Sequence, residues 1–221
     1  MSQEPQPDSA LRRGLEALAA HEEEFRRLDA AAGDGDLGIT VRSTCEAALE
    51  WLRAHPDAEA SVMLAGLAEV CANTNPATFS SLVSRGLAAA AKSIGTASDG
   101  GMAPAVTALE AGIAMVARRG GAAAGEKTFL DALLPALTAM REAASFAEAL
   151  PMMLRAAVQG TEQTTGELAQ HGRAAWVGER ARGVPDAGCV VVIRFLEAVA
   201  GPDTVPWTAD ATEDHEFRGG S

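Results

Sequence analysis

The sequence predicts an all-α fold, and three observations support this prediction. Aromatic residues make up only 4% of the chain and Tyr is absent, so the apolar residues are mainly Ala and Leu, both strong helix formers. Apolar residues recur with the period of an α-helix, about 3.6 residues. Glycine-rich stretches separate these periodic segments. The 221 residues fit one domain, or at most two small ones, and can bury a substantial core.

About eight helices follow from this pattern. The first is expected over residues 9–30, and the longest opens with Ser145-Phe-Ala-Glu148, in which the Ser and Glu side chains cap the helix start. The last includes Cys189-Val-Val-Val-Ile193, where continued helical spacing favours a helix and a buried strand is the alternative. The longest helix extends over residues 146–168, and the other five are expected near residues 39–54, 58–72, 79–94, 102–116 and 129–140.

Charge and composition exclude several classes of function. The net charge of -12 is opposite in sign to a nucleic-acid-binding surface, so no nucleic acid is expected as a partner. No apolar run reaches the roughly 18 residues needed to cross a membrane, and the first residues lack the apolar segment of a signal peptide. The three cysteines have no CxxC spacing, which suits a reducing compartment. We therefore expect a cytoplasmic protein with one domain over residues 9–200 and flexible termini, residues 1–8 and 201–221.

The most informative stretch contains three aspartates. Asp29 lies in the last turn of the first predicted helix, and Asp34 and Asp36 follow in a Gly-rich turn that can bend back on the helix end. Two like charges about 4 Å apart repel by about 4 kcal/mol at an effective dielectric constant near 20, so three converging carboxylates would need a cation. Their hard oxygen ligands suit Mg²⁺ or Ca²⁺. The alternative is a solvated acidic loop in which the carboxylates never converge.

Three later motifs could contact phosphate, although each has a simpler structural interpretation. The sequence GEKTFLDALLP starts at Gly125 and opens a helix with Thr128 as its candidate N-cap, and free amides at a helix start bind phosphate. Arg173 and Arg180 lie in a Gly-spaced turn, where arginine could bind phosphate or pair with a surface Glu. Asp186 precedes the last helix and could simply be its N-cap.

Taken together and in this order, these motifs resemble the L subunit of dihydroxyacetone kinase, the nucleotide-binding (DhaL-type) half of that enzyme. The resemblance covers about residues 9–200 and rests on the aspartate stretch, GEKTFLDALLP, GRAAWVGER and the following DAG. It implies a closed barrel of eight antiparallel helices with the nucleotide site at one end. It also implies a phosphotransferase that carries Mg-ADP or Mg-ATP and delivers a phosphoryl group to dihydroxyacetone or another short ketose held by a partner K subunit.

The resemblance also implies a set of site residues. Asp29, Asp34 and Asp36 would bind two Mg²⁺ ions, and Arg173 would be the catalytic residue as well as part of the nucleotide pocket. This division suits phosphoryl transfer, in which a protein mainly positions groups and neutralises charge. The residues that would bind the nucleotide are Leu37, Gly38, Ile39, Thr40, Asn73, Thr74, Gly120, Phe129, Arg173, Asp186, Ala187 and Gly188.

Two positions depart from the pattern of that family. Leu37 stands where the family usually has histidine, and residues 72–76 (ANTNP) stand where a Gly-rich phosphate loop of the form GGxSG is usual. Glycines let backbone amides close on a phosphate, whereas Asn and Pro restrict that approach. The metal site therefore keeps the family pattern, while half of the expected phosphate cradle is altered.

Three interpretations of function remain open. The leading one is the kinase subunit, expected as a homodimer, in which ATP exchanges or bound ADP is recharged by a phosphotransferase-system phosphocarrier. The second is a regulatory module that binds metal and nucleotide without catalysis, and the third is a barrel that binds a lipid along its axis. The histidines lie outside the motifs and are expected at the surface; they are His21, His55, His171 and His215.

Overall fold

The computed structural model describes residues 7–95, 101–201, 204 and 206–208. Within these residues every regular element is helical, which confirms the predicted all-α class. A short 3₁₀ turn covers Gly178–Ala181. The helices are α1 (Pro7–Ala20), α2 (Glu22–Ala32), α3 (Leu37–Ala54), α4 (Ala60–Thr74), α5 (Thr78–Ile94), α6 (Met102–Gly120), α7 (Leu130–Glu142), α8 (Phe146–Thr165), α9 (Ala174–Val177) and α10 (Ala187–Ala200).

Eight of these helices form a closed ring. Helices α1, α3, α4, α5, α6, α7, α8 and α10 each pack against the next one in this order, and α10 packs against α1 to close the ring. Short connections join most neighbours, which requires them to run antiparallel. Helix α2 lies against α3 and α10, and the short α9 belongs to the connection between α8 and α10. The expected barrel of eight antiparallel helices is confirmed.

The expectation of one helix over residues 9–30 is wrong in one respect. The chain forms two helices there, and the break falls at His21. The amide of His21 donates to both Ala17 O and Leu18 O at 3.2 Å, and its ring Nδ1 lies 2.7 Å from Ala17 O. Because these bonds tighten the last turn of α1, α2 leaves at a new angle and leans against α3.

The β-branched run in α10 is helical, as favoured by its spacing, and its position explains its composition. Cys189 and Ile193 are fully buried against α7 and α8, while Val190 and Val191 are buried against α1 and α3. A helix that is apolar on nearly all sides belongs inside a fold. Helix α10 therefore links the two largest parts of the core.

The ends of the helices explain several sequence signals. The Ser145 hydroxyl accepts a hydrogen bond from Glu148 N at 3.3 Å, as predicted. The Glu148 carboxylate accepts from Ala144 N at 2.9 Å, one residue before the N-cap Ser145. Helix α8 ends at Thr165, earlier than the expected residue 168. None of the described helices combines the length and apolarity needed to cross a bilayer.

Most of the termini that we expected to be flexible lie outside the described residues. Trp207, which lies within the expected C-terminal segment, contacts the barrel. Its amide donates to Glu197 Oε1 at 2.5 Å, its carbonyl accepts from Arg194 at 2.9 Å, and its indole donates to Glu162 at 3.2 Å.

Candidate metal centre at one end of the barrel

The three predicted aspartates converge in the structure. Asp29 lies near the end of α2, and the turn that follows brings Asp34 and Asp36 back to it, so that one oxygen of each lies within 4.8 Å of the others. Gly35 has a φ of +78°, a conformation that L side chains rarely adopt. A Cβ atom at Gly33 would lie 2.6 Å from Asp29 Oδ1. Gly35 is therefore required for the turn, a side chain at Gly33 would displace the Asp29 carboxylate, and a loop in which the carboxylates never meet is excluded.

A single arginine reaches this cluster from the far side of the sequence. Arg173 Nη1 contacts Asp34 Oδ2 and lies 3.3 Å from Asp36 Oδ2. Burial, followed by the negative charge of Asp29, raises the pKa of Asp36 above its usual value. The Arg173 side chain is 60% exposed, and exposed ion pairs contribute only about 0–1 kcal/mol. The arginine is therefore close to the cluster without being fixed to it.

The aspartates lie at the N-terminus of α3. Asp29 Oδ2 accepts a hydrogen bond from Leu37 N at 3.1 Å, and Thr40 N donates to Asp36 O at 3.0 Å. Helix geometry then leaves the amides of Gly38 and Ile39 without a partner within the first turn. Ile39 is exposed, whereas Leu37, Gly38 and Thr40 are buried. Of the four residues predicted to approach phosphate, Gly38 and Ile39 keep amides that can do so.

Other predicted residues meet at the same end of the barrel. Phe129 immediately precedes α7, and its ring lies edge-on to Phe79 at 5.4 Å between centroids. A Cβ atom at Gly188 would lie 3.0 Å from Phe129 Cβ, so these residues pack closely. Gly120 is the last residue of α6 and lies beside Leu82 of α5.

The DAG motif combines packing with capping. Asp186 caps α10 by accepting from Cys189 N at 2.8 Å, as its simpler interpretation predicted. Burial raises the pKa of Asp186 to about 6. Ala187 and Gly188 are buried in the first turn of α10.

The segment 72–76 differs from the loop that its composition suggested. Helix α4 continues through Thr74, whose hydroxyl donates to Val70 O at 2.8 Å. Asn73 and Thr74 are therefore exposed residues of the last helical turn, and the connection to α5 is only residues 75–77. A helical turn has its amides committed to the helix, so the two residues can offer side chains but no amide loop. Phe129 takes the N-cap position that was predicted for Thr128, but the Thr128 hydroxyl still accepts from Leu130 N, the first residue of α7, at 3.3 Å.

Two buried charges near the site were missed by the sequence analysis. Asp131 is buried and accepts from Gly125 N at 2.5 Å and from Thr128 N at 2.8 Å, which fixes the turn before α7. Lys127 is also buried and has a φ of +59°. The motif GEKTFLD contains both residues, but nothing in its composition indicates that they point inward.

His171, which was expected at the surface, is only partly exposed and pairs with Glu126. Its ring Nε2 lies 2.6 Å from Glu126 Oε2, and its side chain is 30% exposed. Glu126 accepts from Ala123 N at 2.7 Å, and this amide followed by His171 lowers the pKa of Glu126. The pair joins the connection after α8 to the turn before α7.

The donor set of the aspartate cluster fits a hard divalent cation. Six-coordinate Mg²⁺ holds oxygens at about 2.1 Å, so its ligands lie up to roughly 4.2 Å apart. The 4.8 Å cluster reaches that spacing with small side-chain rotations, and no nitrogen or sulfur ligand from the described residues joins it. Metal binding would also relieve the mutual repulsion of the carboxylates.

Comparison with known proteins gives consistent matches. Residues 31–201 match the family model of the DAK2 domain. The L-erythrulose 1-kinase of Mycolicibacterium smegmatis is 31% identical over 190 residues, which cover 83% of this chain and 33% of that protein. The triokinase/FMN cyclase of Homo sapiens is 30% identical over 195 residues, which cover 86% of this chain and 33% of that protein.

A solved structure also has the same fold. It is the dihydroxyacetone kinase from C. freundii in complex with AMP-PNP and Mg²⁺, with a TM-score of 0.72 and 22% identity. The match covers 90% of this chain and 36% of that chain. This chain therefore spans about a third of the length of the relatives it matches.

Proposed function

We propose that this chain, which belongs to the DAK2 domain family, is the nucleotide-binding part of a kinase that phosphorylates a short ketose. The resemblance inferred from the motifs is confirmed at the level of the family. The observation that carries the proposal is the convergence of three carboxylates within 4.8 Å beside Arg173. The names of the relatives support a kinase, since they include an L-erythrulose 1-kinase and an L-erythrulose kinase.

Asp29, Asp34 and Asp36 would hold Mg²⁺, with two ions expected. When bound, the metal would neutralise the phosphate oxygens and orient the nucleotide for phosphoryl transfer. The protein contributes the position of the carboxylates, set by the turn at Gly33 and Gly35, and a mobile positive charge from Arg173. Because Arg173 contacts Asp34 and Asp36 weakly, it can turn from the carboxylates to a phosphate, which its planar fork suits.

The nucleotide would be ADP or ATP, bound at the end of the barrel that carries the aspartates. The amides of Gly38 and Ile39, at the positive end of the α3 dipole, would face the phosphates. The remaining proposed contacts come from the start of α3, the ends of α4 and α6, and the starts of α7 and α10 with the residue just before each. They are Leu37, Thr40, Asn73, Thr74, Gly120, Phe129, Asp186, Ala187 and Gly188.

The acceptor ketose is proposed to lie on a partner, the K subunit. In support, the matched region makes up about a third of each relative, which leaves room in those proteins for a separate ketose-binding part. A phosphocarrier that recharges bound ADP, a homodimer and a cytoplasmic location remain part of the proposal. The three cysteines are free and buried, which supports a reducing compartment.

Calorimetric titration of Mg-ADP and Mg-ATP into the purified protein tests this proposal. We expect binding by the wild type and at least about tenfold weaker binding by Asp34→Asn, which removes one anionic ligand and keeps the side-chain shape. Asp57→Asn is the matched control, since Asp57 is exposed in the connection that follows α3, at the other end of that helix. Absence of heat with either nucleotide at millimolar Mg²⁺ refutes the nucleotide site. Unchanged affinity in Asp34→Asn refutes the metal assignment.

A second candidate function is a regulatory module that binds the nucleotide without catalysis. The observation that favours it is the helical segment ending at Thr74, which replaces an amide-rich phosphate loop. Nucleotide binding without phosphoryl transfer, in the presence of a K subunit and a short ketose, would select this alternative.

A further inference from the structure

The connection between α8 and α10 is a loop with a narrow neck. Its two ends meet where Gly183 N donates to Thr165 O at 3.0 Å. Ala169 and Ala181 are buried near the two ends, whereas Arg173 and the helix α9 lie toward the outside. The connection therefore folds back on itself as a closed loop, longer than the roughly 6–16 residues of an Ω-loop but with the same adjoining ends. Residues 166–183 are called the Arg173 loop below, because this loop carries Arg173 to the aspartates.

Lys127 closes the neck of the Arg173 loop. Its Nζ donates to Thr165 O at 2.7 Å, to Glu167 O at 3.0 Å and to Ala181 O at 2.7 Å. The first two carbonyls lie where the chain leaves α8, and the third lies where it returns. One ammonium group thus bridges the outgoing and the returning parts of the loop.

The burial and the backbone conformation of Lys127 are both unfavourable in free energy, so the hydrogen bonds of its side chain must offset this cost. The residue is 3% exposed and its φ of +59° falls in the left-handed region, where non-glycine residues are uncommon. Burial lowers the pKa of its side chain, because the charged form is desolvated. An ammonium group has three N–H donors, and three carbonyls receive them. With every donor directed inward, Lys127 has none left for a phosphate.

A second contact joins the same two segments. Gln170 N donates to Glu126 O at 3.2 Å, and the ring of His171 pairs with the Glu126 carboxylate at 2.6 Å. Both contacts lie between the Lys127 neck and Arg173 along the chain. The turn before α7 therefore holds the first half of the Arg173 loop from its neck to within two residues of Arg173.

We propose that Lys127 is a positioning residue that holds the Arg173 loop closed and so keeps Arg173 at the metal and phosphate site. The proposal rests on the proposed function for the role of Arg173, while the closure of the loop is independent of it. Lys127 acts only through Arg173, since its own ammonium group is occupied by backbone carbonyls.

Lysine is the side chain that this neck requires. Three carbonyls converge on one nitrogen, which a tetrahedral ammonium group matches and a planar guanidinium group does not. The chain uses Lys at only two positions, Lys92 and Lys127, against 16 arginines. Lys127→Arg is therefore expected to leave the loop open, although it conserves the charge.

Hydrogen exchange of the protein without nucleotide tests the closure of the loop. We expect amides of residues 166–183 to exchange at least about tenfold faster in Lys127→Met than in the wild type, with helices α3 to α6 unchanged. We expect the same result for Lys127→Gly, because glycine adopts a positive φ without strain. Agreement of the two variants shows that loss of the ammonium group, and not backbone strain, opens the loop. Lys92→Met is the matched control, since Lys92 is exposed on α5. Unchanged loop exchange in both Lys127 variants, or unfolding of both, overturns the proposal.

A double-mutant cycle on Mg-ADP affinity tests the link to Arg173. Loss of a charge-assisted hydrogen bond corresponds to about a tenfold to hundredfold loss of affinity, and we expect this from Arg173→Ala. Lys127→Met alone should weaken binding comparably, yet have little further effect in the Arg173→Ala background. Additive losses would mean that Lys127 acts on the fold generally, which overturns its positioning role. If the wild type binds no nucleotide, the proposed function fails, while the exchange experiment still decides whether Lys127 closes the loop.

Discussion

Gly38 allows α2 and α3 to approach each other, and its replacement should open the metal site. A Cβ atom at Gly38 would overlap the carbonyl oxygen of Glu22 and lie 3.0 Å from the backbone nitrogen and Cβ of Arg26. Asp29 is on α2, whereas Asp36 immediately precedes α3. Gly38→Ala must therefore push the two helices apart and separate the carboxylates that they carry.

Two opposing contributions determine how much Gly38→Ala changes the free energy of unfolding. Overpacking by one methyl group in a well-packed contact costs about 1–3 kcal/mol. Alanine in a helix interior is favoured over glycine by roughly 0.5–1 kcal/mol, which offsets part of this cost. At mid-range the two contributions leave a net loss of about 1 kcal/mol, which corresponds to a decrease in Tm of about 2–4 °C for a chain of this size. Because Mg²⁺ requires near-ideal octahedral geometry, its affinity should decrease by about tenfold or more.

Thermal unfolding with and without Mg²⁺, together with calorimetric titration of the metal, measures both quantities. Gly166→Ala is the matched control, because Gly166 caps α8 with a φ of -75° and no atom would lie within 4 Å of its Cβ. The control should keep the metal affinity of the wild type and change Tm by less than Gly38→Ala does. If Gly38→Ala behaves like Gly166→Ala in both measurements, the close helix contact does not hold the aspartates together.

Two further predictions concern charges that lie away from the aspartates. The Arg194 side chain is only 11% exposed and pairs with Glu24 of α2 at 2.5 Å and with Glu197 at 2.8 Å, so Arg194→Met should cost about 3 kcal/mol in urea unfolding. Arg26→Met, which breaks an exposed pair, should cost about 0–1 kcal/mol, and equal losses would contradict this reasoning. The raised pKa of Asp186, about 6, favours its protonated form in the fold, so its stabilising contribution is complete below its ordinary pKa and is lost as pH rises through 6. Asp186→Asn keeps the cap, and its urea stability relative to wild type should rise between pH 4.5 and 7.5; parallel pH profiles would refute this.

The aspartate cluster could be predicted from the sequence because it is local. Asp29 and Asp36 lie seven positions apart, and the glycines between them permit the reversal that brings them together. The contact of Arg173 with Asp36 spans 137 positions and was not predicted, since the family resemblance indicated only that Arg173 belongs to the nucleotide pocket. Lys127 was missed for the same physical reason, since its three acceptors lie 38, 40 and 54 positions away. Composition and spacing report which face of a helix is buried, but they do not report where a buried ammonium group finds its acceptors.

The errors in helix boundaries have local causes that periodicity does not detect. Apolar spacing continues across His21, because α1 and α2 both face the core, and a break of one residue leaves the pattern intact. Residues 72–76 contain Asn and Pro, which favour a loop, yet α4 continues through Thr74, and the Thr74 hydroxyl bonds to Val70 O within that last turn. In both places hydrogen bonds decide where a helix ends, and the hydrophobic pattern carries no information about them.

The charges around the site explain how an acidic protein can bind an anion. Three carboxylates beside one arginine leave a local charge of about -2, which repels a nucleotide as strongly as it attracts a cation. One divalent ion cancels this charge, and a second makes the site positive. The Arg173 loop adds a movable positive charge, which can leave the carboxylates when a metal replaces it there. The neck at Lys127 then limits how far that charge can move, so the loop that brings Arg173 to the carboxylates would also keep it within reach of the phosphates of the proposed nucleotide.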